Sequence, residues 1–160
     1  PNQPMMEIDW NAAKNFCEWL SSLSGLPITL PTEAQWEYAC RAGTTTRFHF
    51  GDSERQLKEH AWYDDNSGGK THPVGQKKAN EWGIYDMHGN VLEWCADWYQ
   101  VGYSGLGTGN PTGPNSGTSR VIRGGSWRGS PALSRSADRA GYRSDFRSFD
   151  LGFRVASPVQ

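Results

Sequence analysis

The sequence predicts an α+β domain in which two helices are followed by short antiparallel strands and long loops. Three observations predict it. Helical periodicity is confined to residues 10–43. Short, loosely alternating apolar runs follow near residues 91–99, 120–125 and 152–156. The chain between them is dominated by turn formers, with 19 Gly and 9 Pro in 160 residues. That length fits a single domain over residues 1–160 with room for a sizeable core. Hydrophobic residues are few at 36%, so eight Trp and six Phe must supply much of the buried area.

The first helix runs from Trp10 to about Leu23. Asp9 is a good N-cap, Ala13, Phe16, Cys17 and Leu20 form an i, i+3, i+4, i+7 stripe, and Gly25 sits where a C′ residue belongs. The second spans Thr32 to Gly43. Thr32 and Gln35 make a capping box, Pro31 precedes it, and Gly43 ends it. Both are amphipathic and should pack one face on a core. Residues 44–83 read as turns and short extended pieces, with 64–69 a loop. Val91–Tyr99, Arg120–Gly125 and Gly152–Ala156 read as strands, and 101–119 as loop. Trp10, Trp19, Trp36, Trp82, Trp94, Trp98 and Trp127 are expected in the core, with Trp62 partly exposed near the binding face.

A net charge of −1 gives no reason to expect nucleic-acid binding, and no apolar run approaches the length of a membrane span. The charge is uneven: residues 120–154 hold eight Arg and three Asp. The chain begins at Pro1 rather than Met, so a leader or a preceding domain is expected upstream. Cys17, Cys40 and Cys95 lack metal-ligand spacing and read as buried free thiols, with a Cys17–Cys40 bridge as the alternative. His49, His60, His72 and His88 do not cluster at metal spacing and read as structural. Ser126, Ser136 and Asp145 have no His in their segment, which argues against a hydrolytic triad.

Four stretches carry a resemblance. They are Leu30–Ala39 (LPTEAQWEYA), Gly83–Trp94 (GIYDMHGNVLEW), Arg123–Trp127 (RGGSW) and Leu151–Arg154 (LGFR). In that order they resemble the formylglycine-generating-enzyme, or sulfatase-modifying-factor, domain, which implies a C-type-lectin-like fold. The resemblance covers nearly the whole chain from Pro4 onward. That family's opening strands do not precede the first helix here, so they are either trimmed or supplied by another part of the protein. Enzymatic members oxidise a substrate cysteine with a copper-binding cysteine pair lying between the RGGSW-like and LGFR-like motifs. Arg128–Asp150 contains no cysteine. Chemistry that needs a thiolate cannot run on Arg, Ser and Asp, so the expectation is a non-enzyme. The related iron-dependent sulfoxide synthases take their iron ligands from a helical domain that is absent here.

A second branch is closer. The variable proteins of diversity-generating retroelements display a segment rewritten by adenine-specific mutagenesis of Asn (AAC) codons. Their fixed skeleton resembles Pro131, Arg135-Ser136-Ala137, Arg139, Asp145 and Arg147 here, with Ser134 and Ser144 departing from it. The resemblance leaves fourteen template-Asn positions as the ligand-binding set: Arg128, Gly129, Ser130, Ala132, Leu133, Asp138, Ala140, Gly141, Tyr142, Arg143, Phe146, Ser148, Phe149 and Asp150. Codons ending in C cannot encode Lys, Glu, Gln, Met or Trp, and none of the five occurs there. These types fill 29 of residues 1–127. Fourteen draws at that rate miss all five only about three times in a hundred.

The expected mechanism is a frame that fixes the segment's backbone while the variable side chains point outward. Trp127 and Phe153 should anchor it in the core, and Arg135, Arg139 and Arg147 through hydrogen bonds. Tyr142, Phe146 and Phe149 would serve as aromatic anchors, Arg128 and Arg143 as cationic contacts, Asp138 and Asp150 as anionic ones. The implied partner is a protein or other macromolecule, with no nucleic acid and no membrane insertion. The implied origin is bacterial or phage, at the cell surface or in the cytoplasm. No cofactor is required. The family's calcium motif matches Asp86, Gly89, Val91 and Glu93, so a structural Ca²⁺ is one expectation. The other is that Asp86 and Glu93 hydrogen-bond the turn and nearby arginines without metal. The competing functions are a formylglycine-generating or sulfoxide-synthase-type oxidoreductase and an inactive paralogue with one fixed partner.

Overall fold

The first helix, α1 (Trp10–Ser24), starts where its cap is built: Asp9 stays extended and accepts the Ala12 N–H at 2.9 Å. It stops at Gly25, whose left-handed φ of 73° lets its N–H reach the Ser21 carbonyl. Trp10, Ala13 and Cys17 face inward, while Phe16 lies at the margin, edge-on to Phe153 at 5.5 Å. The second helix, α2 (Glu33–Arg41), carries the complete Thr32/Gln35 capping box. Its C-cap is Ala42 in the left-handed region, one residue before the expected Gly43. A single helical turn, α3 (Leu57–His60), buries Leu57 and follows a 3₁₀ turn at Glu54–Gln56. This computed structural model describes residues 2–105, 107 and 109–157.

Four strands form one sheet: β1 (Leu92–Trp98), β2 (Arg120–Arg123), β3 (Ala140–Tyr142) and β4 (Leu151–Phe153), in the order β3-β2-β1-β4. β1 and β2 are antiparallel, pairing Glu93 with Arg123 and Trp94 with Ile122. β2 and β3 are also antiparallel. The expectation of antiparallel strands alone is corrected at β4, which runs parallel to β1, with Glu93 opposite Gly152. The chain crosses from edge strand β3 to the opposite edge strand β4, which runs in the same direction as β1. β3 lies inside the segment that shows no strand period, so it was not expected.

The sheet is buried on both faces because β1 alternates. Trp94 points to one side and packs with Trp10, Ala13, Cys17, Ile122 and Leu151. Cys95 points to the other and packs with Trp36, Cys40, Met87 and Val121. The sheet thus lies between α1 and α2. A third cluster, Phe48, Leu57, Ala61 and Tyr63, supports the loops. Two tryptophans expected in the core are outside it: Trp19 is 57% exposed on α1, and the exposed Trp82 packs at a tilt against Tyr38, 4.8 Å between ring centres. Trp98 and Trp127 are half-buried. Arg120 is clamped between Trp10 and Trp98, its guanidinium 3.7 and 3.4 Å from their ring centres. Among the described residues no helix is long and apolar enough to cross a membrane.

Candidate functional site

Residues 128–150 cross one end of the sheet, and their skeleton residues are tied to the frame. Arg139 makes a bidentate pair with Glu33 of α2, at 2.6 and 2.5 Å, and donates to the Gln100 carbonyl at 2.8 Å. Arg147 reaches Asp9, the α1 cap, at 2.6 Å. That carboxyl is held below its usual range by the Ala12 N–H and, further, by the Arg147 guanidinium. Arg135 donates to the Ala132 carbonyl at 2.7 Å and to Asp138 at 3.2 Å. Behind them Arg123 of β2 is fully buried. It donates to Glu37 and to the Asp138 carbonyl, and lies 3.5 Å from Glu33. Main-chain bonds complete the frame: the Trp10 N–H donates to Ser144, Glu7 to Ser148, Asp64 to Gly129, and Ser136 to Arg47. Nearly all of these contacts hold backbone or skeleton side chains, so the segment's path depends little on the variable side chains.

Nine of the fourteen template positions are exposed: Arg128, Ser130, Ala132, Leu133, Ala140, Tyr142, Arg143, Phe146 and Phe149. Tyr142 and Phe146 pack on each other at 4.4 Å, forming one aromatic knob. Arg143 is more exposed than Arg128 but is paired with Asp145 at 2.8 Å, so its charge is partly offset. Asp138 and Ser148 are half-buried.

Three positions depart from the outward-facing expectation. Gly129 is buried, its N–H donating to Ser126 and its carbonyl receiving Asp64. Asp150 is buried and accepts the Ser126 hydroxyl at 3.0 Å and the Ser148 hydroxyl. It therefore serves as an internal acceptor and does not act as an anionic contact. Gly141 in β3 faces Tyr99, and a Cβ there would stand 2.5 Å from that ring's Cγ. The anchoring role given to Trp127 also shifts. Its ring is half-buried, with its indole N–H donating to the Phe149 carbonyl at 3.3 Å.

Asp86, Gly89, Val91 and Glu93 line one cavity of about 320 Å³. Asp86 adopts a left-handed φ of 60°, and its Oδ2 accepts the Gly75 N–H at 2.8 Å. Its Oδ1 is buried with no partner, and burial pushes the carboxyl up. An orphaned buried carboxylate oxygen suits a hard cation, and the Gly89 carbonyl in the same cavity already accepts the Val91 N–H at 3.0 Å. Glu93 is already engaged: Arg154 holds both its oxygens, at 2.5 and 2.6 Å, and the Trp36 indole donates to it at 2.6 Å. The donor set therefore fits Ca²⁺ at Asp86, while Glu93 would be shared with Arg154.

Cys17, Cys40 and Cys95 are buried and free, so the alternative Cys17–Cys40 bridge does not form. Burial pushes the Cys40 thiol up to about 12 and the other two upward as well. Burial thus disfavours the thiolate form of all three. Ser126 bonds Asp150 and Asp145 bonds Arg143, so these groups are engaged with partners other than each other.

The histidines do come together, though not around a metal position. His49 lies 4.8 Å from His60 and 5.1 Å from His88, ring centre to ring centre, against Phe48 and Phe50. His88 donates from Nδ1 to the Ser134 carbonyl at 2.7 Å and accepts the His49 N–H at Nε2, which requires its neutral form. Burial lowers His88 to about 3 and His49 to about 4, and lowers His60 too. A base whose pKa is depressed by folding takes up its proton more readily when unfolded. Stability is therefore full above the ordinary histidine value and falls as pH drops through it toward 4. Urea titrations at pH 7, 6 and 5 should show the unfolding free energy falling by up to about 1.4 kcal/mol per pH unit for each proton taken up.

The comparisons with known proteins agree with this arrangement. Residues 1–159 match the family described as the sulfatase-modifying factor enzyme 1-like domain. The chain is 36% identical to the formylglycine-generating enzyme of Mus musculus over 98% of its own length and 44% of that protein. It is 33% identical to that of Streptomyces coelicolor over 98% of its length and 53% of that protein. It thus spans about half the length of these curated relatives. Among solved structures, Treponema denticola variable protein 1 superposes with a TM-score of 0.92 at 34% identity, covering 96% of this chain and 70% of that one. PvdO from Pseudomonas aeruginosa gives 0.92 at 36%, covering 99% and 63%. The expected α+β, C-type-lectin-like class stands on these likenesses, and the chain belongs to the formylglycine-generating-enzyme, or sulfatase-modifying-factor, family.

Proposed function

We propose that this domain is a non-catalytic binding module whose C-terminal segment is a hypervariable surface diversified by a retroelement. The observation that carries the reading is the division of labour within residues 128–150. Arg135, Arg139 and Arg147 are spent on the frame, while nine template positions, with the Tyr142–Phe146 knob among them, face solvent. Likeness to a variable protein supports it. The ligand is a protein or other macromolecule, engaged through aromatic anchors on a rigid support. Structural Ca²⁺ at Asp86, Gly89, Val91 and Glu93 belongs to the same proposal, as a brace for the frame.

Sequencing this locus from independent isolates tests the reading. Substitutions should concentrate at the fourteen positions, in codons ending in C, with a near-copy bearing Asn codons beside a reverse-transcriptase gene. Identical residues at all fourteen across isolates would favour a fixed-partner paralogue instead. The oxidoreductase reading draws support from the formylglycine-generating relatives. Incubation with a cysteine peptide, oxygen and copper or iron should give no aldehyde beyond a protein-free control; an aldehyde product that requires the protein would overturn the non-catalytic proposal.

A further inference from the structure

The cavity at Asp86 holds a feature that the binding proposal does not use. Three charged side chains line it: Asp86, Glu93 and Arg154. Asp86 offers an unpartnered oxygen in a side chain that is only 9% exposed. Arg154 donates Nε and Nη2 to the two Glu93 oxygens and reaches the Tyr85 carbonyl at 3.2 Å. Tyr85 is the neighbour of Asp86, so one guanidinium spans the turn and the strand that would both supply cation ligands.

The charges can be added directly. Two carboxylates and a divalent ion cancel. With Arg154 in place the loaded cavity carries one excess positive charge, buried where screening by solvent is weak. A lysine would be a mobile point charge, but the arginine fork is fixed by its bidentate pair and cannot swing clear without leaving Glu93 unpaired. Before any metal arrives, Arg154 already does part of a cation's work, which accounts for a buried glutamate tolerated without an ion.

We infer that Arg154 is a tethered cation that rivals Ca²⁺ for Glu93 and keeps this site weak. The inference rests on the calcium reading of the cavity. It makes Arg154 a positioning residue that sets affinity without ligating the ion. The linkage is reciprocal: calcium, when bound, must loosen the Arg154–Glu93 pair to the same degree that the pair weakens calcium. Arg154 directly follows β4, which closes the variable segment, so the competition is felt where that segment re-enters the sheet.

Calorimetric titration of the chelator-treated protein with CaCl₂ tests this. Arg154→Gln should bind Ca²⁺ about tenfold or more tightly than the unmutated protein, within the usual span of coupled sites. Arg154→Lys, which keeps the charge but can swing clear of Glu93, should bind with an affinity between those of the unmutated protein and Arg154→Gln. Asp86→Asn should abolish binding while leaving the Arg154–Glu93 pair in place. Arg154→Gln leaves Glu93 buried and unpaired, so its folding without calcium is at risk. For that reason the unmutated protein supplies a second readout: the Arg154 Nε–H resonance should move during the calcium titration, with the same midpoint as the heat. Equal affinity in Arg154→Gln and the unmutated protein, or an Arg154 resonance that ignores bound calcium, overturns the rivalry and leaves the calcium reading standing. No heat of binding in any of these proteins overturns both.

Discussion

Replacing Arg123 with methionine is expected to cost about 3–5 kcal/mol of folding stability, the range for breaking a buried ion network from one side. Arg123 has no exposed side-chain surface and lies against Glu33 and Glu37 of α2. Its removal strands two carboxylates: Glu33, itself buried and left with Arg139, and Glu37, left with Arg41. It also removes the donor to the Asp138 carbonyl, one of the bonds fixing the variable segment. Chemical denaturation should show the loss as a lowered midpoint with an unchanged slope. A methionine variant within 1 kcal/mol of the parent, on the order of an exposed pair, would mean that the glutamates find other partners and that Arg123 does not fasten the segment.

The second large effect concerns a position the codon pattern treats as free. Gly141→Tyr, a change that adenine mutagenesis of an AAC codon can produce, should destabilise the domain by about 1–3 kcal/mol or more. A Cβ at 141 meets Tyr99 at Cβ and Cγ, at 2.7 and 2.5 Å, and these atoms move only if the β1 end moves with them. Tyr99 also lies under the Arg139 guanidinium, 4.8 Å from it, so its displacement disturbs the Arg139–Glu33 anchor. Phe149→Tyr, at a 63% exposed side chain, should stay within about 0.5 kcal/mol of the parent. Paired thermal melts of the two variants check the contrast. Equal Tm values would show that Tyr99 yields and that Gly141 varies as freely as Phe149. If the contrast holds, selection acts on a restricted repertoire, with Gly141 kept small.

Local signals were legible in the sequence wherever the deciding partner lies within one turn. The Asp9 cap and the Thr32/Gln35 box are of this kind, and both helices begin where those residues place them. What depended on distant chain was not legible. β4 is parallel because its partner lies some sixty residues earlier, and LGFR gives no sign of direction. β3 borrows its pairing from β2, while its own Ala-Gly-Tyr has no strand pattern. The histidine cluster joins positions 49, 60 and 88, a spacing that carries no period. Trp19 was placed in the core on residue type alone, although it lies outside the Ala13–Cys17–Leu20 stripe of its helix.

The candidate surface was legible for a different reason. The codon pattern marks positions that would change if the proposed diversification operates, and exposure is the usual condition for tolerating change. It reports nothing about Cβ vectors or hydrogen-bond duty. That is why Gly129, Gly141 and Asp150 stood with the others until the fold placed them inward. The skeleton arginines were set apart by the resemblance alone; guanidinium chemistry does not separate them, since the variable Arg143 also pairs with a carboxylate, on Asp145.

The central claim is that the frame holds this segment without help from its outward side chains. One variant tests it most directly: Asn at all nine exposed template positions, 128, 130, 132, 133, 140, 142, 143, 146 and 149, followed by calorimetric melting. A sharp two-state transition is expected, with Tm within about 5 °C of the parent, the sum for exposed substitutions. A broad transition, or a fall beyond about 10 °C, would contradict it by showing that those side chains hold the fold together.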